Sequence, residues 1–411
     1  MSAMFRAGET DGRAAVRWLT LLWQINAGFL LATLGAAWQV PGEVLLRPFS
    51  LANEMNLAAW WSGALLLLFG LLCHSIALRL KPLHLPASRA MLVLSLLGLG
   101  LFCDEVGSIH ERAEFLVPLD GDLALAPFAL LGAAALGWSL HRLRQARSVC
   151  GNTWKLIALA FLLFGSVYLM EFAEHRIHWT LFTEGLRTVV EEGTELAAMS
   201  ILLFAVLRLR ATLDSSRAVD LLPERQTLVL ATWLAAGLAL PIVLVRARFT
   251  PEQLKMPVRG DFGMLVPIFC FTCAALAALR QARLQRENRT GWLSLALVAI
   301  ILSVDSEAHL RHYLLRSERT WWRTDLDLLW GIPLLMAVIM QFPREYRWRA
   351  FLAALAGSAL VLGSALSQSE FVWLSVPSLV AIGLVASVLY ATRPAPRVGF
   401  AGQVLNPEGT D

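Results

Sequence analysis

The sequence predicts an all-α protein: a polytopic transmembrane helical bundle of about 12 spans with both termini cytoplasmic. Three observations carry this. The chain of 411 residues is 57% hydrophobic and only 16% charged, with a mean hydropathy of +0.60. Soluble domains average roughly a quarter charged residues, so a soluble globular enzyme is excluded. The apolar residues run continuously for about 20 positions at a time, the length that crosses a bilayer as a helix, and do not alternate as in an outer-membrane barrel. Finally, Lys and Arg gather in alternate loops.

The elements follow in order. Residues 1–16 are polar and lack an apolar stretch ending in a small-residue cleavage site, so they read as a cytoplasmic tail with no removable signal peptide. Apolar runs predict spans at 17–38, 56–78, 90–111, 123–141, 154–176, 185–207, 226–245, 262–280, 291–312, 326–342, 350–367 and 372–391. Residues 393–411, which include several Pro and Gly, read as a second tail. Between the tails, 17–392 forms one transmembrane domain, divisible into halves 17–207 and 226–392 joined by a cytoplasmic loop.

Orientation comes from charge. With 12 spans the termini share a side, and the loops on that side hold 23 of the 35 Lys and Arg. Over the first six spans the division is 14 against 4, which by the positive-inside rule makes the basic side cytoplasmic. Tryptophans such as Trp18, Trp38, Trp60, Trp61, Trp138 and Trp154 fall near the ends of runs, where an indole anchors in the headgroup layer. The net charge of +4 is too small and scattered for nucleic acid, leaving membrane lipids as the expected partners; protein partners are unknown. Five cysteines, nearly all in apolar runs, make no disulfide framework, and Cys270 and Cys273 read as buried small residues.

Ionisable side chains inside spans cost about 2.5–3.5 kcal/mol each on insertion scales and mark function by default. Four spans concentrate them. The third ends with Asp104, Glu105, His110 and Glu111; the fifth with Glu171, Glu174, His175 and His178; the sixth opens with Glu191, Glu192 and Glu195; the ninth ends with Asp305, His309 and His312. Spacings of three, four and seven put Glu171, Glu174, His175 and His178 on one helix face and Asp305, His309 and His312 on another. Outward-running spans carry their clusters at their ends and the inward-running sixth carries its own at its start. All four clusters are therefore expected in the outer half of the bilayer, with Asp325 and Asp327 as a possible rim.

So many carboxylates need neutralising by a cation, by protons or by ion pairs. Carboxylate and imidazole ligands from facing helices are how helical bundles build zinc, iron or manganese sites. The expected metal ligands are Glu171, Glu174, His175, His178, Glu191, Glu195, Asp305, His309 and His312, with His110, Glu111 and Glu192 secondary and Asp104 or Glu105 as general acid or base. Haem is not expected, because axial imidazoles need apolar walls. No phosphate loop, nucleophile elbow or HExxH helix occurs.

The segment Cys103-Asp-Glu-x4-His-Glu111, with Glu191-Glu-x2-Glu-Leu196, resembles segments of uncharacterised bacterial polytopic membrane proteins. The resemblance implies a multi-pass protein of the bacterial inner membrane and carries no activity. The triplet Glu174-His175-Arg176 is similar to one in haem A synthase helices, but the span count and the other histidines depart from that pattern. The residues themselves point to a metal-dependent membrane enzyme, a hydrolase or oxidoreductase, acting on a lipid or other hydrophobic substrate. A proton- or cation-coupled secondary transporter and a non-catalytic assembly protein are the alternatives.

Overall fold

A computed structural model describes residues 2–38, 46, 49–51, 57–107, 121–174, 181–213, 222–234, 262–285 and 289–308. The described residues contain helices and no strand. The helices are α1 (Ser2–Ala37), α2 (Leu57–Leu80), α3 (Leu85–Gly107), α4 (Gly121–Gln145), α5 (Arg147–Cys150), α6 (Thr153–Glu174), α7 (Leu181–Leu213), α8 (225–234), α9 (Phe262–Leu284) and α10 (Arg289–Ala308). The described part of each of the first nine expected spans falls on a helix, residues 108–111, 175–176, 235–245 and 309–312 lying outside the described residues, as do the expected spans at 326–342, 350–367 and 372–391. The helix of the first span starts at Ser2, so the backbone of the expected N-terminal tail continues it.

Among the described residues, four stretches are long and apolar enough to cross a membrane: Val16–Ala37, Leu57–Leu80, Leu85–Val106 and Gly185–Leu213. They mark the chain as a membrane protein. The most apolar, α2, has a mean hydropathy of 1.9 and is 72% buried, whereas the corresponding stretch of α1 is 22% buried. A helix that is apolar all round has no face to give to water, and α2 accordingly takes the centre. It packs against α3, α7 and α10, with α1 and α6 laid on α7 and α4 laid on α3.

Local sequence sets the turns. Lys81 and Pro82 end α2; the amide of Lys81 still donates to Ala77, and those of Leu83 and His84 to Leu80. His84 Nδ1 then accepts the Ala87 amide at 3.1 Å, satisfying one of the donors that an N-terminus leaves open. Pro86 sits in the first turn of α3, where a missing N–H costs nothing. The turn folds α3 back on α2, and the two pack closely because Gly70 meets Gly98. A Cβ on Gly98 would lie 2.7 Å from the Phe69 ring and 3.1 Å from the Gly70 backbone.

That contact makes a prediction. Gly98→Ala forces two helix backbones apart and should cost about 1–3 kcal/mol, read as a lower unfolding midpoint in detergent. Gly100→Ala, at a position with nothing within 4 Å of the new atom, should leave the midpoint unchanged or slightly raised.

Candidate functional site

The start of α2 organises one end of the bundle. Trp60, Trp61 and Ser62 are consecutive, so each points about 100° round from the last and meets a different helix. The Trp60 indole donates to Ser303 Oγ of α10 at 2.9 Å. Trp61 donates to Asn26 Oδ1 of α1 at 2.9 Å, and Asn26 Nδ2 donates to Ser200 Oγ of α7 at 3.0 Å. Ser62 Oγ lies against Glu105 Oε1 of α3 and 2.9 Å from the carbonyl of Ala59.

These bonds bring the acid-bearing ends of the helices to the same end of the bundle. Glu105 stands level with Ser62. Ser303, two residues before Asp305, stands level with Trp60. Glu195 lies five residues from Ser200 along α7, roughly 7.5 Å further toward that end at 1.5 Å per residue. Gly193, between Glu192 and Thr194, packs on Leu30 of α1, where a Cβ would sit 3.5 Å from the Leu30 methyls. The chain from Glu174 to Leu181 is short, so α6, packed along α7, ends where α7 begins. The backbone positions of Glu171 and Glu174 therefore belong to this end too.

Within the acidic end, the geometry is partly determined. Arg187 Nη1 donates to Glu191 Oε2 at 2.9 Å, one turn along α7, with both side chains 13% exposed. Glu191 thus has a cationic partner from its own helix. Asp104, Glu105, Glu192 and Glu195 are half-buried. Glu171, Glu174 and Asp305 lie on described helices, but their side chains fall outside the described residues, as do His110, Glu111, His175, His178, His309, His312, Asp325 and Asp327. Among the described residues, no three His, Cys, Asp or Glu side chains come together in a group able to hold a metal.

The opposite end carries a second polar cluster that sequence reasoning missed. Glu224, just before α8, accepts from Arg79 Nε and, at 2.6 Å, from Ser75 Oγ, both on α2. The guanidinium of Arg210, on α7 and only 1% exposed, lies 4.0 Å away. Arg280 Nη1 of α9 donates to the neighbouring Pro223 carbonyl at 3.1 Å, and His74 Nδ1 lies 3.0 Å from Thr227 Oγ1. His74 reads in the sequence as an isolated core or interface residue, because its partner lies 153 positions away. Trp60 and Trp61, expected near the headgroup layer, direct their N–H groups to partners on other helices of the bundle. Trp138, beneath Arg142, and Trp154, beneath Arg144 and Lys155, keep cationic company at the basic end. The five cysteines are free thiols, and at Cys150, beyond the spans, burial pushes the pKa up to about 11.

Residues 16–211 match a family model described as Domain of unknown function (DUF8692). The matched segment runs from the start of the first apolar stretch almost to the end of α7, the extent of the first expected half. No curated protein and no solved structure matches the chain.

Two substitutions test these polar ends. Glu105→Gln keeps a group that can donate to Ser62 while Ser62 donates to Ala59, so its unfolding midpoint should stay near that of the parent. Glu105→Ala, which removes the partner, should cost about 1–3 kcal/mol. At the other end, Glu224→Gln weakens the acceptor shared by Arg79 and Ser75 beside buried Arg210 and should cost about 1.5–3 kcal/mol, measured by thermal unfolding in detergent.

Proposed function

We propose that this chain is a twelve-span protein of the bacterial inner membrane, with both termini cytoplasmic, whose acidic end faces the periplasm and acts as a metal-dependent enzyme on a lipid or other hydrophobic substrate. The observation that carries the reading is the convergence described above: α3, α6, α7 and α10 bring their acid-bearing ends to one end of a bundle built around α2. Retaining several carboxylates at membrane depth is costly, and a function that uses their charge accounts for their being there.

In this reading Glu171, Glu174, His175, His178, Glu191, Glu195, Asp305, His309 and His312 supply the ligands for zinc, iron or manganese. The bound ion would contribute Lewis acidity or redox chemistry according to its identity. Asp104 or Glu105 would hold and deliver the proton, with Ser62 orienting the Glu105 carboxyl. Glu191 would exchange its Arg187 partner for the ion, while His110, Glu111 and Glu192 would line the approach. The basic end, with Arg79, Arg210 and Arg280 around residues 223–224, would lie at the cytoplasmic face.

The deciding measurement is bound metal per chain in protein purified in mild detergent without chelators or affinity tags, beside the variant His175→Ala/His309→Ala. Stoichiometric zinc, iron or manganese that is lost from the folded variant is the expected result, and the metal found would choose between hydrolysis and oxidation. A folded protein that takes up none of these ions on reconstitution would overturn the reading and favour proton-coupled transport.

A further inference from the structure

The helical hairpin α2–α3 has a counterpart in α9–α10. Both join an apolar helix to a second one through four residues, 81–84 and 285–288, and both second helices carry an aspartate near their end, Asp104 and Asp305. The hairpins lie side by side in reciprocal fashion, α2 against α10 and α3 against α9. Such exchange is what a two-fold relation between two copies produces.

Residue contacts put this relation in register. In the first hairpin, a Cβ on Gly63 would lie 2.8 Å from a Val106 methyl and 3.6 Å from the Phe102 ring. In the second, Thr272 Oγ1 lies 2.9 Å from Ser303 Oγ. Pairing Gly63 with Thr272 and Phe102 with Ser303 fixes the alignment of both arms, and in this register the second hairpin reaches its turn five residues sooner in its first arm and three sooner in its second. Between the hairpins, Trp60 of α2 bonds Ser303 of α10, and Phe102 of α3 meets Phe269 of α9 with ring centroids 5.7 Å apart and ring planes tilted by 60°. The alignment already fixed carries Trp60 onto Phe269 and Ser303 onto Phe102, so each of these contacts is the image of the other. It also carries Asp104 onto Asp305, which played no part in setting it. Sizes compensate between the copies: the large Phe102 faces Gly63, and the small Ser303 faces Thr272.

We propose that α2–α3 and α9–α10 are diverged copies of one hairpin, related by a local two-fold axis that runs along the helices between Phe102 and Ser303, and that each copy is the other's packing partner. The extent of the family-model match, residues 16–211, marks the first copy as a unit, and the apolar runs beyond residue 226 supply the second. An even number of spans per unit leaves both copies pointing the same way across the membrane, as an axis along the helices requires. Asp104 and Asp305 then occupy equivalent positions. The expected last span, 372–391, contains no acidic residue, so the sequence there repeats none of Glu191, Glu192 and Glu195. This inference is independent of any bound metal.

Reciprocal exchange of contact sets in the full chain tests it. Phe102→Ser alone should lower the unfolding midpoint in detergent by roughly 5 °C or more, as loss of a packed ring does. Adding Phe269→Trp, with Gly63 kept because a Cβ there would meet Val106 at 2.8 Å, installs the second copy's indole–hydroxyl pair in the first and should recover about a third or more of that loss. Replacing Phe269→Trp by Phe269→Leu in this double variant should recover less. If Phe102→Ser does not fold, the converse set decides: Trp60→Phe/Thr272→Gly/Ser303→Phe should unfold later than Ser303→Phe alone. A combined variant no more stable than its single parent, or no better than the leucine control, would overturn the duplication.

Discussion

Apolar lipid offers no hydrogen-bond partner, so a polar side chain on a buried span turns to its own helix, as Thr33 does to the Phe29 carbonyl, or to another helix. The bundle meets that constraint at Trp60, Trp61 and Ser62. These side chains reach α10, α1 and α3, and Asn26 extends the chain of bonds to α7. Interhelical hydrogen bonds in membranes average only about 0.6 kcal/mol each, so four of them are not the main source of stability. Their contribution is registry. Helices apolar all round can slide and rotate at little cost, and directional bonds at one level select a single arrangement.

Van der Waals packing supplies the rest, and small residues decide where it is closest. The Gly70–Gly98 contact draws α3 onto α2, and Gly185 allows α1 to approach α7, where an added Cβ would come within 2.7 Å of Ala37. Close approach at these points leaves less freedom at the helix ends, which is where the charges are. The two ends differ in kind. At one, Glu224 gathers arginines from separate helices around a single carboxylate; at the other, acids arrive on several helices and the Arg187–Glu191 pair is made within a helix. The first arrangement ties segments together, whereas the Arg187–Glu191 pair holds one carboxylate against its own helix.

The helical membrane class was legible because it rests on composition and run length, which need no knowledge of partners. The polar faces were legible for the same reason: helical spacing alone puts Glu191 beside Glu195. What sequence reasoning missed were pairings between distant positions. Glu224 gave no signal, since a lone carboxylate before a short apolar stretch reads as a loop residue until Arg79 and Arg210 are brought to it. Asn26 and Ser62 were passed over because only ionisable groups were counted inside spans, although a neutral amide in an apolar run also requires a partner. The partners of Trp60 and Trp61 were not legible either, because nothing local shows which neighbouring helices carry Ser303 and Asn26.

Central placement of α2 also bears on why the bundle extends past residue 211. A helix apolar on every side needs neighbours all round, and α3 and α7 with α1 leave the flank that bears Trp60 to be covered. Ser303 of α10 covers it, and Phe269 of α9 covers the matching flank of α3 at Phe102. Without α9 and α10, the Trp60 indole would lack its Ser303 partner and Phe102 its ring contact with Phe269. The hairpin α9–α10 therefore completes the packing of α2 and α3.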